Sequence, residues 1–165
     1  MQISINMTSL FVSTLLTGLT AGLCFTWANA ITPGIGRLND LTFLQSFQAM
    51  NRAILNPTFI IIFMGPFFVH LANIFLFRSS PSLIFWLILS AAILYIGGLI
   101  LVTIFGNVPL NEMLDKVNLT QSSPQELHII RDNFESKWNA FHRVRTISSS
   151  ISFILLIISI FLHNK

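Results

Sequence analysis

The segment Lys137–Thr146, KWNAFHRVRT, places a tryptophan, an asparagine, a histidine and two arginines directly before a long apolar run. At helical spacing one stripe runs through Leu127, Ile130, Phe134, Trp138, Phe141 and Arg145. His142 lies on the flank of this stripe, whereas Arg143 points to the opposite side. An inward arginine needs acceptors such as amide oxygens, carbonyls or a bound anion. Arg145 is therefore a candidate site residue, and Arg143 an interfacial anchor.

A second group of polar residues lies within and directly after the segment NDLTFLQSFQAMNRAIL. Its periodicity predicts a capped amphipathic helix with Asn51 near the middle of the apolar face and Arg52 beside the edge of that face. A buried amide requires hydrogen-bond partners. The Asn56–Pro57 dipeptide should end this helix and begin the next one, because proline is tolerated in the first turn of a helix.

A third group lies in GNVPLNEML. Gly106 and Pro109 are expected to break the helix that precedes them and to leave Asn107 and Asn111 beside freed backbone groups. Further along, SSPQEL has the capping-box pattern and predicts a helix from about residue 124 to about residue 162.

These polar residues should gather at one end of the molecule: Asn51, Arg52, Asn56, Asn107, Asn111, Trp138, Asn139, His142 and Arg145. Such a set suits a flat, weakly acidic aromatic or quinone-like ligand. Rings stack on tryptophan and phenylalanine, arginines neutralise a phenolate or enolate, and a histidine can abstract a proton near neutral pH. The alternative is structural, with the amides capping helix ends where the spans stop near the interface.

Other site chemistries have no pattern in this sequence. No H-E-x-x-H, multi-histidine box or cysteine cluster is present, and Cys24 is the single cysteine. We therefore predict no metal centre and no cofactor. No serine or cysteine has an obvious histidine and carboxylate partner for nucleophilic catalysis, and no nucleic-acid partner is predicted.

The elements that position these residues are membrane helices. Hydrophobic residues make up 53% of the chain and charged residues 9%. Four stretches, residues 7–29, 58–77, 82–105 and 144–162, reach the roughly 20 apolar residues that cross a bilayer as a helix. We predict an all-α integral membrane four-helix bundle, a single domain over residues 1–165, with extra short helices in loop one (30–57) and loop three (106–143).

Charge placement predicts the orientation. All six acidic residues lie in the two long loops, which disfavours ion-coupled transporters, because these keep a carboxylate at membrane depth. Loops one and three also contain most of the basic residues, whereas the other side has Arg78 and Lys165. The positive-inside rule places both long loops in the cytoplasm, and in a bacterium the membrane would be the cell membrane. Ala28–Ala30 resembles a signal-peptide cleavage site, but the preceding segment lacks a positive region, so the first span should be retained.

The whole chain resembles the DUF1772, or anthrone oxygenase-like, family. The resemblance rests on FTWANAITPGIGRL, QAMNRAILNP, GNVPLNEML and WNAFHRVRT, in this order. It implies a small four-span membrane protein and, from members in polyketide pathways, an oxygenase that converts anthrones to anthraquinones without an evident metal or flavin. The site positions it implies are Asn51, Arg52, Asn56, Asn107, Asn111, Trp138, Asn139, His142 and Arg145.

The predicted reaction is cofactor-independent oxygenation of an anthrone- or quinol-like aromatic, and it assigns catalytic roles to three residues. His142 would take the acidic benzylic proton of an anthrone-like substrate, and Arg145 and Arg52 would stabilise the delocalised oxyanion. The electron-rich carbanion would then react with O₂ directly.

The remaining residues would bind the substrate. Asn51 and Asn111 are expected to face Arg145 and to hold carbonyl or hydroxyl groups, and Trp138 and Trp27 would supply stacking surface. The competing class is a non-enzymatic bundle that binds a lipid, a quinone or a partner protein. Both readings predict the bilayer and a hydrophobic small molecule as partners, and both leave a homo-oligomer open.

Overall fold

The computed structural model describes residues 4–163, and every regular element in this range is a helix; Lys165 lies outside it. The helices are α1 (Ile5–Ile35), α2 (Asp40–Ile54), α3 (Pro57–Leu76), α4 (Ser82–Asp115) and α5 (Pro124–His163). All except α2 are long and apolar enough to cross a membrane. The prediction of an all-α integral membrane protein is confirmed, although α1, α4 and α5 extend beyond the apolar stretches read from the sequence.

The four spanning helices pack in a ring. Helix α1 packs against α3 and α5, and α4 packs against the same two helices from the other side. Helix α2 lies against α5 and the end of α4. A tight turn joins α3 to α4, so α2, the last turns of α1 and α4 and the first half of α5 lie at one end of the bundle, called here the looped end.

Side-chain caps define two of the helix starts in the way the sequence predicts. The Asn56 side chain accepts a hydrogen bond from the Phe59 amide at 3.0 Å, so α3 begins at Pro57. At the start of α5, the Ser123 amide donates to Glu126 Oε2 at 2.7 Å, and the Glu126 amide donates to Ser123 Oγ at 3.4 Å. This reciprocal pair is the predicted capping box.

The predicted break at Gly106 and Pro109 is wrong, because α4 continues through both residues. The helix widens into π-helical turns over Leu94–Leu101 and Thr103–Asn107 and returns to α geometry before Asp115. Proline lacks an N–H and collides with the carbonyl one α turn earlier, and a wider turn displaces that carbonyl. Helix α1 shows the same sequence of features, with a π segment at Trp27–Ile31 directly before Thr32 and Pro33.

An apolar core fills the looped end between α2, α4 and α5. Its buried members are Phe43, Leu44, Phe47, Leu114, Leu119, Leu127, Phe134 and Trp138. The rings of Phe47 and Phe134 meet edge to face at a centroid distance of 4.8 Å, an arrangement that adds to the gain from burying their area. This core fixes α2 on the first half of α5.

Arg131 of α5 ties the connection between α1 and α2 to this core. Its guanidinium donates to the carbonyls of Gly36 and Leu38, both at 2.7 Å, and to Asp40 at 3.0 Å and Glu135 at 2.7 Å. Charge-assisted hydrogen bonds of this kind are about twice as strong as neutral ones. The end of α1 and the start of α2 are therefore held at a defined position on α5.

Buried polar groups also join helices within the spanning half. Thr17 Oγ1 and His70 Nε2 lie 3.2 Å apart between α1 and α3, and the Tyr95 hydroxyl of α4 donates to the Phe63 carbonyl at 2.7 Å. Inside a membrane bundle such pairs connect helices, because an unpaired polar group costs free energy there.

Close approach of α4 and α5 depends on Gly98. A methyl group at this position would overlap the side chain of Ser148 on α5, whereas a methyl group at Gly97 would meet no atom within 4 Å. The two glycines are adjacent and both lie in the π segment Leu94–Leu101. They form a matched pair for testing the contact between the two helices.

We predict that Gly98→Ala destabilises the protein by about 1–3 kcal/mol, the usual effect of overpacking. Gly97→Ala should leave stability unchanged or raise it slightly, because alanine is the better helix former. The midpoint of thermal unfolding in detergent measures the difference. Equal midpoints for the two variants would show that α4 and α5 do not pack in this way.

Candidate ligand-binding site

A cavity lies at the looped end where all five helices meet. It is lined by Leu23, Cys24, Trp27, Phe47, Asn51, Ile54, Leu55, Phe59, Phe63, Thr103, Val108, Asn111, Trp138, His142 and Arg145. Its volume is about 100 Å³, less than the roughly 300–1,000 Å³ of pockets for drug-sized ligands. A three-ring ligand therefore requires side chains at the rim to move. Leu55, which follows the end of α2 and is 65% exposed, is one such rim residue.

Arg145 brings a positive charge into this cavity although it is only 9% exposed. Its Nη2 atom lies 2.8 Å from His142 Nδ1, and its Nη1 atom lies 3.4 Å from Thr103 Oγ1. Its buried Nε has no hydrogen-bond partner, and within residues 4–163 the ion pairs all involve other basic side chains. A buried cation without a carboxylate attracts an anion.

His142 joins this guanidinium to the backbone of α1. Its Nε2 lies 3.0 Å from the carbonyl oxygen of Cys24, while Nδ1 faces Arg145. A carbonyl can only accept and a guanidinium can only donate, so Nε2 carries the proton and Nδ1 is the acceptor. The geometry therefore requires a neutral imidazole in a single tautomer.

A chain of three side chains forms a second polar part of the lining. The Trp138 indole donates to Asn111 Oδ1 at 2.8 Å, and Asn111 Nδ2 donates to Asn51 Oδ1 at 2.9 Å. The indole N–H is a donor only, so each amide in the chain has a fixed direction. The chain ends at the Asn51 amide nitrogen, for which the described part of the protein provides no acceptor.

Aromatic rings close the remaining sides. The Trp138 and His142 rings stack at a centroid distance of 4.9 Å with 23° between their planes. Trp27 lies 5.7 Å from Trp138, and the Arg145 guanidinium carbon lies 5.2 Å from the Trp138 ring centre. Of the predicted site residues, the structure brings together Trp27, Asn51, Asn111, Trp138, His142 and Arg145. Asn51 and Asn111 share the cavity with Arg145, but they bond to each other and to Trp138.

Arg52 does not line the cavity. Its Nε donates to Asp115 Oδ1 at 2.6 Å on the surface, where 61% of the Arg52 side chain is exposed. The position of Arg52 at the edge of the apolar face directs its guanidinium outward to the end of α4. In this geometry Arg52 links α2 to α4 and does not reach the cavity.

Three predicted asparagines also lie outside the cavity lining. Asn56 caps α3, and Asn107 is buried with its Nδ2 donating to the Trp138 carbonyl at 3.2 Å. Asn139 lines a separate cleft of about 410 Å³, which His142 separates from the cavity. Asn56 and Asn107 thus support a helix end and a helix contact, which is the structural role that the sequence left open.

The inward stripe of α5 also differs from the prediction at one position. Phe141 is 39% exposed, and its ring lies against Gly106 of α4, whereas His142 is 3% exposed. Phe141 and His142 lie at similar angular offsets on the two sides of the stripe through Trp138 and Arg145. Either could face inward by periodicity, and His142 is the one that does.

The sequence analysis missed several residues that line the cavity. Thr103 lies one helical turn before Asn107, a polar position on an apolar span that could have been noticed. The Cys24 carbonyl has no signal in the sequence, because any residue supplies a carbonyl. No group of three or more His, Cys, Asp or Glu side chains that could hold a metal ion occurs within residues 4–163.

Comparison with known proteins identifies a family. The family model described as anthrone oxygenase matches residues 44–155, about two thirds of the chain. The matched range includes Asn51, Asn111, Trp138, His142 and Arg145 and excludes Trp27. No curated protein and no solved structure matches the chain.

We predict that nitrogen-15 NMR of histidine-labelled protein in detergent shows His142 as a neutral Nε2–H tautomer at pH 7, because Arg145 occupies the other ring nitrogen. A His142→Gln variant identifies the signal by its loss. In Arg145→Gln the ring loses this constraint, so its tautomer signals should change. An imidazolium or a neutral Nδ1–H form in the unsubstituted protein would contradict the arrangement.

Proposed function

Because the chain belongs to the anthrone oxygenase family, we propose that it oxygenates an anthrone-like aromatic in the cavity of the looped end, with O₂ as oxidant and without a cofactor. The observation that carries this proposal is Arg145. Its guanidinium is buried, lacks a carboxylate and lies beside stacked aromatic rings. An aromatic oxyanion supplies both the negative charge and the planar apolar body that such a site accommodates.

The first step is removal of a proton from the methylene carbon of the anthrone. The resulting carbanion is delocalised onto the carbonyl oxygen, where Arg145 stabilises it. His142 is the base. Because Nη2 of Arg145 donates to Nδ1 of His142, this ring nitrogen can accept a proton only after Nη2 has moved to the substrate oxygen. Ligand binding and activation of the base are therefore coupled through a single guanidinium.

The oxidation then balances with O₂ alone. The anion gives one electron to O₂, and the resulting radical and superoxide combine to form a carbon–oxygen bond. Protonation by His142 gives a hydroperoxide. Loss of the second methylene proton breaks the oxygen–oxygen bond, forms the new carbonyl and releases hydroxide, which becomes water. One anthrone and one O₂ thus give one anthraquinone and one water.

The cavity also divides the binding roles. Trp27 and Trp138 provide stacking surface, and Asn51 and Asn111 provide polar contact. The proposal gives no substrate contact to Arg52, Asn56, Asn107 or Asn139, because these side chains lie outside the cavity.

We predict that the purified protein in detergent accelerates the oxidation of anthrone in air, followed by anthraquinone absorbance and O₂ uptake. Arg145→Gln should lower the protein-dependent rate roughly 100-fold to 1,000-fold, as the loss of an oxyanion donor does. His142→Gln should lower it by about 100-fold or more, since the general base is removed.

The matched control is Arg143→Gln, which removes an exposed arginine two residues from Arg145. It should retain the rate of the unsubstituted protein. If the unsubstituted protein, Arg145→Gln and His142→Gln all match spontaneous oxidation, the oxygenase proposal fails. Bound anthrone without acceleration would instead favour the non-enzymatic bundle.

Basic residues further support a proposed orientation in which the looped end faces the cytoplasm. In a Cys24→Ala background, a membrane-impermeant maleimide added to intact cells should label Ser79→Cys, in the turn between α3 and α4. It should label Gln121→Cys only after the cells are opened. The reverse pattern would place the looped end outside.

A further inference from the structure

The direction of the amide chain determines what the cavity can recognise. If the Asn51 amide were turned over, its NH₂ group would face the NH₂ group of Asn111, and the bond between them, 2.9 Å long, would be lost. Asn111 cannot turn in compensation, because the Trp138 indole requires an acceptor. Asn51 is thereby held with its NH₂ group as the free end of the chain.

The acceptors that surround the cavity are already engaged. Asn111 Oδ1 accepts from Trp138, His142 Nδ1 accepts from Arg145, and the Cys24 carbonyl accepts from His142. The indole N–H of Trp27 has no partner within residues 4–163. Two further N–H groups on cavity-lining residues also have none there, namely Nε of Arg145 and Nδ2 of Asn51. One belongs to a cation and the other to a neutral amide. A ligand that satisfies both must bring two acceptor oxygens.

We infer that this site recognises its ligand at two separate oxygens, an anionic oxygen bound by Arg145 and a neutral carbonyl oxygen bound by Asn51. The inference rests on the proposed function and narrows its substrate class. The oxygen that becomes the oxyanion occupies Arg145, so the preferred substrate carries a second acceptor oxygen on its ring system. Anthrone, which has a single oxygen, is a minimal substrate that leaves the Asn51 amide unsatisfied. Quinols are poor ligands, because a hydroxyl at Asn51 would bring a hydrogen for which the engaged acceptors offer little capacity. Simple phenols are poor ligands, because their single oxygen occupies Arg145 and leaves the Asn51 amide unsatisfied.

Trp138 and Asn111 act in this recognition as positioning residues. Neither needs to touch the carbonyl oxygen, yet both determine which atom of Asn51 faces the ligand. Removing the indole N–H while keeping an aromatic ring should therefore weaken discrimination between ligands more than it weakens binding itself.

Two stable probes with the same three-ring skeleton test this inference. Anthracene-2-carboxylate and anthraquinone-2-carboxylate are both fully ionised at pH 7.5 and differ only in the two carbonyl oxygens. The fluorescent anthracene probe is titrated into the full-length protein in detergent, and the quinone probe is measured by competition. We expect the quinone probe to bind about 10-fold more tightly, since only this probe satisfies the Asn51 amide.

The variants separate the two recognition points. Asn51→Leu should bring the ratio of the two affinities to about one while leaving the affinity for the anthracene probe within about twofold, which also shows that the variant is folded. Trp138→Phe should reduce the ratio to an intermediate value. Arg145→Gln should weaken both probes by about 10-fold or more and keep the ratio, and Arg143→Gln should change neither quantity.

A ratio near one in the unsubstituted protein, or a ratio that Asn51→Leu leaves unchanged, would overturn the inference. The result is independent of turnover. If the protein accelerates anthrone oxidation but binds the two probes equally, two-point recognition is excluded and the proposed oxygenase activity stands. A carbonyl preference that depends on Asn51, in a protein that does not accelerate anthrone oxidation, removes the oxygenase proposal and keeps the recognition.

Discussion

The arrangement of the looped end depends on one buried positive charge that has no negative partner. The guanidinium of Arg145 is kept inside the protein by a histidine lone pair, a hydroxyl and the face of an indole ring. Each of these groups is a weaker partner than a carboxylate. They nevertheless come from α4 and α5, and His142 adds the backbone of α1. Three helices are thus oriented around a charge that a carboxylate would have neutralised.

The second constraint is the surrounding membrane, in which a helix cannot break without exposing backbone groups. Both α1 and α4 contain a proline near the looped end, and both accommodate it by widening into π-helical turns. Trp27 begins the π segment of α1 and Thr103 begins the second π segment of α4, and both side chains line the cavity. Insertions of this kind change the direction of side chains without interrupting the helix, and they occur often at functional sites.

Periodicity and capping predicted the parts of the structure that depend on local sequence. The apolar spans, the cap at Asn56 and the capping box at Ser123 are observed, and Arg145 is buried while Arg143 is exposed. The polar end of the bundle was also foreseen, because Asn51 and Asn111 each lie on the inward side of a helix.

The remaining features depend on non-local geometry or on small angular differences. The ion pair of Arg52 with Asp115 joins two helices, so the spacing of residues within α2 does not reveal it. Phe141 and His142 lie on opposite sides of the direction of Trp138, at offsets of about 60° and about 40°, so periodicity cannot choose between them. The π turns could not be read from Gly106 and Pro109, since these residues also occur at true helix ends. The contact of His142 with the Cys24 carbonyl cannot be predicted from residue types, because every residue has a backbone carbonyl.

Helix α5 continues without interruption from Pro124 to His163, and this continuity has a consequence for which changes of length the chain can accept. Trp138, His142 and Arg145 are spaced by one or two helical turns, so a single inserted or deleted residue among them would rotate one part of the helix by about 100° relative to the rest. The loop before α5 ends at a cap and carries none of the cavity residues, so it can change length at positions other than Leu119, which is buried in the core of the looped end. In related sequences, insertions and deletions should therefore be absent between Leu127 and Ser152 and should occur instead before Ser123.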